Sequence, residues 1–180
     1  MHSQSPVQKR TVQHILWVTF DLLKSNYFDV LTVQQICEEA EINRSTFYRY
    51  FEDKYDLLYH LSQLIGQQFE KRSKNTENNL DSFVSYFDEN KKVFKHLITS
   101  ERSIDVLNEI KRIHSKMMLE ASRFNDDEVA RKVRESKHPE MLCDFMSSGV
   151  VEILRNWVNN KYEQGTEALF DFLNDRMNSV

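Results

Sequence analysis

The sequence predicts an all-α protein, a small three-helix domain followed by a larger helical one. Two observations carry that expectation. Glycine and proline number only 3 and 2 in a chain of 180 residues, against an average joint usage of roughly 12%. Tight hairpins and bulges draw on glycine, so a sheet-rich fold is disfavoured. Apolar residues also recur at three- and four-residue spacing along most of the length, and helix start signals precede those stretches.

The first helix is expected over about Val7 to Ser25, where Val12, Ile15, Leu16, Thr19, Leu22 and Leu23 make one apolar face. Asn26 suits a left-handed stop. Thr32 to Gln35 spells a capping box and opens a short second helix with Ile36, Cys37 and Ala40 on one side. Glu41 and Ile42 form a turn, Asn43 caps a third helix starting at Arg44, and Asp53 starts a fourth. The polar run from Arg72 to Asn79 marks a boundary, giving domains at 8–68, with the motif at about 31–50, and at 75–180. Beyond it lie amphipathic stretches around Leu80–Phe87, Val93–Leu97, Ile104–Leu119 and Asp127–Val133. Pro139 opens a long helix to about Lys161, and Gly165-Thr166 provides a stop and a cap for the last one, Glu167 to Met177.

Composition excludes several functions. Hydrophobic residues make up 40% and charged residues 29%, as in ordinary globular proteins. Gly66, Gly149 and Gly165 stand too far apart for a dinucleotide fingerprint or a phosphate loop. Cys37 and Cys143 lie inside helical patterns, which suits buried thiols in a reducing compartment. His96 and His114 have no partner at metal-ligand spacing, and Asn125 to Glu128 lacks the spacing of a calcium loop. The first ten residues lack the apolar core of a signal peptide, and no stretch approaches a membrane span. A cytoplasmic protein with no membrane partner, metal, cofactor or enzymatic activity is expected. The net charge of −4 gives no global attraction to nucleic acid.

Two short helices joined by a three-residue turn behind a longer one describe a helix-turn-helix. On the third helix Phe47 and Phe51 face inward, which leaves Arg44, Ser45, Thr46, Tyr48 and Arg49 outside. Arginine forks onto guanine, and serine and threonine serve either base type, so this face suits a major groove. Lys54 and the helix starts behind Thr32 and Asp53 suit flanking phosphates. Residues 1–54 nevertheless carry one more acid than base, so affinity for random DNA is expected to be modest and strongly salt-dependent.

The pattern Thr32-Val33-x-x-Ile36-x-x-x-Ala40-x-Ile42-x-x-x-Thr46-Phe47-Tyr48-x-Tyr50-Phe51-x-x-Lys54-x-x-Leu57-Leu58 resembles the DNA-binding domain of TetR-family transcriptional regulators, over about Arg10 to Leu61. The resemblance implies that Thr32, Arg44, Ser45, Thr46, Tyr48, Arg49 and Lys54 contact double-stranded operator DNA. Two positions depart from the family: Glu41 replaces its usual turn glycine, and Tyr27 stands where a glycine commonly ends the first helix.

Further on, Phe145-x-x-x-Gly149-Val150-x-x-Ile153-Leu154-x-x-Trp157 is similar to the dihydroxyacetone-kinase-regulator subgroup. The family pairs its last two long helices across a two-fold axis, so the resemblance implies a homodimer on a pseudo-palindromic operator. Leu142, Phe145, Gly149, Ile153 and Trp157, with Leu169, Phe172 and Leu173 from the last helix, are the expected interface. The resemblance also implies a repressor released by a small-molecule effector, whose site no residue pattern identifies. The aromatics and methionines between Leu80 and Phe124 suit an apolar pocket or an ordinary core. A second reading stays open: a helical ligand-binding or adaptor protein acting through a protein partner, without DNA.

Overall fold

In the computed structural model residues 5–73, 79–99 and 103–179 are described. They form ten α-helices and no strand, the all-α architecture expected. The helices are α1 (Pro6–Leu22), α2 (Val33–Glu39), α3 (Arg44–Tyr48), α4 (Lys54–Ser73), α5 (Asn79–Glu89), α6 (Lys91–Ile98), α7 (Ser103–Ala121), α8 (Glu128–Glu135), α9 (Pro139–Val158) and α10 (Thr166–Ser179), with a 3₁₀ turn at Phe28–Val30. The centre of the polar run expected as a domain boundary, residues 74–78, lies outside the described residues. Chain packing groups Met1–Leu64 with Lys92–Val106 as one unit, and Ile65–Lys91 with Leu107–Val180 as a second.

Local chemistry sets the helix starts. Ser5 and Gln8 form a reciprocal capping box with Pro6 in the first turn, so α1 begins one residue before the expected Val7. Thr32 and Gln35 form the second box. Asp53 Oδ1 accepts from the amides of Tyr55 at 2.7 Å and Asp56 at 2.8 Å to open α4.

Two helix ends show how a glycine-poor chain terminates. The positive-φ residues among those described are Glu41, at 52°, and Asn160, at 58°. Each closes a Schellman motif: Ile42 N–H donates to Cys37 O after α2, and Lys161 N–H to Asn156 O after α9, both at 2.9 Å. Asn26, expected to take this conformation, does not. It stops α1 by another route, donating both its backbone N–H and its side-chain amide to Leu22 O.

In the first unit the core gathers Ile15, Leu16 and Phe20 of α1 with Phe28, Ile36, Phe47 and Phe51, all buried. His96 Nδ1 donates to Leu23 O at 2.7 Å while its ring packs on Tyr27 at 4.3 Å between centroids. Tyr27 has φ −68°, so no glycine is needed there. In the second unit Phe69 meets Phe83 at 4.5 Å and Tyr86 at 4.6 Å, and stacks with Phe87. Such pairs are worth about 0.5–1.5 kcal/mol beyond the area they bury. Burial pushes the Tyr86 phenol up to about 12. Phe124, which the sequence grouped with these rings, is exposed.

Candidate nucleic-acid interface

The turn between α2 and α3 sets the site. Its αL residue is Glu41, where side chains other than glycine, asparagine and aspartate are uncommon. The strain is offset by the Schellman hydrogen bonds and by His14 of α1, whose Nε2 donates to Ala40 O at 3.2 Å. The turn therefore reaches the geometry that the departure from glycine had put in question.

Asn43 then organises α3. Its Oδ1 accepts from the Thr46 amide at 2.8 Å, the Ser45 hydroxyl at 2.6 Å and the Thr46 hydroxyl at 2.9 Å. Both hydroxyl protons are spent on the cap, so Ser45 and Thr46 turn lone pairs outward. Acceptors of this kind match the cytosine N4 and adenine N6 amino groups of a major groove. The sequence marked Asn43 as a cap; its control of the two hydroxyls follows only from the folded geometry.

Phe47 fixes the orientation of the helix. It is fully buried and packs on Phe51 at 5.2 Å and edge-on to Tyr48 at 5.4 Å. One residue on, Tyr48 is 49% exposed. Arg44 and Arg49 are exposed beside it. Arg44 donates to Tyr48 Oη at 3.4 Å with its guanidinium 5.9 Å from the ring centre, which holds that fork upright on the helix. Arg49 has no hydrogen bond or ion pair within the described residues. Thr32 is exposed at the head of α2 with its hydroxyl closed into the capping box.

Lys54 differs from the expectation of a phosphate contact. Its ammonium donates to three backbone carbonyls, Phe28 at 3.3 Å, Asp29 at 2.9 Å and Leu31 at 3.1 Å. An ammonium has three protons, and all three are used. Lys54 thereby staples the 3₁₀ turn to the start of α4, with Phe28 and Tyr55 rings 5.2 and 5.5 Å from its nitrogen.

Two acids near the site are engaged locally. Glu38 accepts from Gln34 within α2, and Asp56 Oδ2 accepts the Glu52 amide below α3. Cys37 is buried in α2, its thiol pushed up by desolvation, and burial pushes Cys143 up to about 11. Neither has the depressed pKa of a reactive thiol. Among the described residues no group of three metal-ligating side chains is assembled, and no helix is long and apolar enough to cross a membrane.

The expected dimer surface divides in two. Trp157, Leu169 and Leu173 are buried within their own chain. Trp157 donates from Nε1 to Gln164 O, and Lys91 Nζ sits 3.7 Å from its ring centre. A side chain already covered adds almost no area to an interface, so these three fall out of the contact set. Phe145 at 65%, Phe172 at 49% and the unanticipated Met141 at 69% exposure lie open on α9 and α10. Leu142 and Ile153 are half-buried, and a Cβ built on Gly149 meets nothing within 4 Å. The two groups look alike in sequence because both repeat at helical spacing; only packing separates them.

Comparisons with known proteins bear on both halves. Residues 15–61 match the family described as bacterial regulatory proteins, tetR family, and residues 74–179 match one described as a transcriptional regulator C-terminal region. Among solved structures, "Dihydroxyacetone kinase operon activator DhaS" superposes with a TM-score of 0.68, covering 93% of each chain at 19% sequence identity. That likeness shows a fold shared over both halves of the chain. No curated protein matches the sequence.

Proposed function

Because this chain belongs to the TetR family of bacterial regulatory proteins, DNA-binding regulators of transcription, we propose that it acts as a homodimer on a pseudo-palindromic operator and represses from there until an effector releases it. The DNA-binding domain is assigned to 8–68 and the regulatory and dimerisation domain to 75–180, acting in the cytoplasm where the operator lies. The observation that supports the reading is α3: five residues anchored by a buried Phe47, with Arg44, Ser45, Tyr48 and Arg49 outside. Arg44 and Arg49 read guanine, Ser45 and Thr46 read base amino groups, and Tyr48 and the first-turn amides behind Thr32 hold phosphates. Lys54 positions the loop before α2. Leu142, Phe145, Gly149, Ile153 and Phe172, with Met141, supply the isologous surface, which would set two α3 helices one DNA turn apart, roughly 34–36 Å. An effector releases DNA only by binding better to the conformation that fits the operator poorly.

Selection from random duplexes by the purified chain tests this reading. One palindromic motif with half-sites about one turn apart is expected, and Arg44→Ala should cost about 1–3 kcal/mol in affinity and relax preference at one position. No enriched sequence, together with unchanged binding by Arg44→Ala, defeats it. The structural neighbour is titled an activator, so a second reading is activation from the same operator. Transcription from a promoter carrying the selected site, with and without the protein, decides the sign.

A further inference from the structure

The second unit contains a cavity of about 340 Å³ bounded by α5, α7, α8 and α10, with Leu80, His114, Met118, Asp127, Asn174 and Met177 among its walls. That volume is in the range of small-molecule sites. At the liquid share of about 30 Å³ per water-sized group it holds roughly ten heavy atoms.

The chemistry of the wall follows from one hydrogen-bond chain. Ser147 Oγ donates its single proton to Lys111 O at 2.8 Å. His114 Nδ1 lies 3.2 Å from the same oxygen, so Nδ1 carries a proton and donates to it. His114 is 2% exposed, stacks on Phe83 at 4.1 Å between ring centres, and is kept neutral by burial, which pushes its pKa down to about 3. Its tautomer is thus fixed, and Nε2 is left as a lone pair with no donor among the described residues. Burying such an acceptor without a partner is unfavourable. Asn174 donates to Asp81 Oδ1 at 3.2 Å and leaves its own oxygen as a second acceptor on the wall. The only charged side chains lining the cavity are Asp127 and Glu128, both acids.

We infer that this cavity is a binding site for a small, largely apolar molecule with a hydroxyl or amine donor and no negative charge, its donor bonded to His114 Nε2. An anion is disfavoured because among the described residues the lining holds two carboxylates and no basic side chain, the nearby Arg131 and Lys132 being paired with Glu128; a pure hydrocarbon leaves Nε2 unsatisfied. The inference deepens the effector reading by giving the ligand a place and a chemistry. Binding is measured on the free chain, so it fails or holds independently of operator recognition.

The test titrates the full chain, with ¹⁵N-labelled histidine, with 4-ethylphenol, its methyl ether 4-ethylanisole, and 4-ethylbenzoate. The phenol should shift the His114 Nε2 resonance and bind at least tenfold more tightly than the ether, and the benzoate should not bind. In His114→Phe, which keeps the ring and loses the acceptor, the phenol should lose its advantage over the ether. Ala121→Phe narrows the cavity while leaving the imidazole in place and should abolish the shift. Equal affinity of phenol and ether for the unsubstituted chain, an unmoved Nε2 resonance, or binding of the benzoate overturns the inference, whether or not either variant folds.

Discussion

At the scale of single residues, the site depends on how few protons are left over. Asn43 takes those of Ser45 and Thr46, and three carbonyls take those of Lys54. Lys54→Met should therefore act mainly on folding, with a loss of about 1–3 kcal/mol in urea denaturation from unpaired carbonyls. The salt slope of operator binding should stay within half a unit of the parent; a phosphate contact would flatten it by about one. His114 gives a pH effect of definite sign. Its pKa is about 3 in the fold against an ordinary 6.5, so between those values the unfolded chain binds the extra proton. Stability due to this group is intact above pH 6.5 and lost as pH falls toward 3. From pH 6 to pH 5 the loss is about 1 kcal/mol, and urea midpoints for His114→Phe should show a slope shallower by that amount. Neither role is legible in sequence, because a lysine's reach and a histidine's tautomer are set by groups more than twenty residues away.

Short elements were the most legible, and the reason is physical. Thr32, Asn43 and Asp53 announce their helices because a cap acts within three residues of itself. Stops were less legible: the left-handed conformation falls to Glu41 and Asn160, while Asn26 ends α1 with its side chain. The inward packing of Phe47 and Phe51 was legible because these anchors are local to α3 and its end, whereas the role of Lys54 was not. Close approaches between helices were invisible, and Gly66 of α4 is the clearest case. A Cβ there would lie 2.5 Å from Ile113 Cδ1 and 3.3 Å from its Cγ2 on α7. Gly66→Ala should cost about 1 kcal/mol net at most, because displacement of the Ile113 side chain is offset by the roughly 1 kcal/mol that alanine gains in a helix interior. Adding Ile113→Val removes the nearest atom and should recover part of that loss, read as non-additivity in a double-mutant cycle.

For the molecule as a whole, the proposed function calls for two copies. Phe145, Phe172 and Met141 stand open on the last two helices, and a Gly149 that obstructs nothing lies among them. Phe145→Glu should shift the protein from dimer to monomer in sedimentation equilibrium and reduce operator affinity at least a hundredfold, since one half-site then binds alone. Its thermal unfolding measured at high dilution should change little, because an exposed ring contributes little to its own chain. The composition carried the fold class, and helical spacing carried the last two helices, but not which of their apolar residues were already committed inward. The Asn43 cap has a consequence for how such a regulator diversifies. One oxygen holds the hydroxyls of Ser45 and Thr46 in place without help from Arg44 or Arg49, so exchanging either arginine leaves those two hydroxyls where they are. On the proposed reading, new operator preferences arise by exchange of the arginines while the capped hydroxyls stay the same.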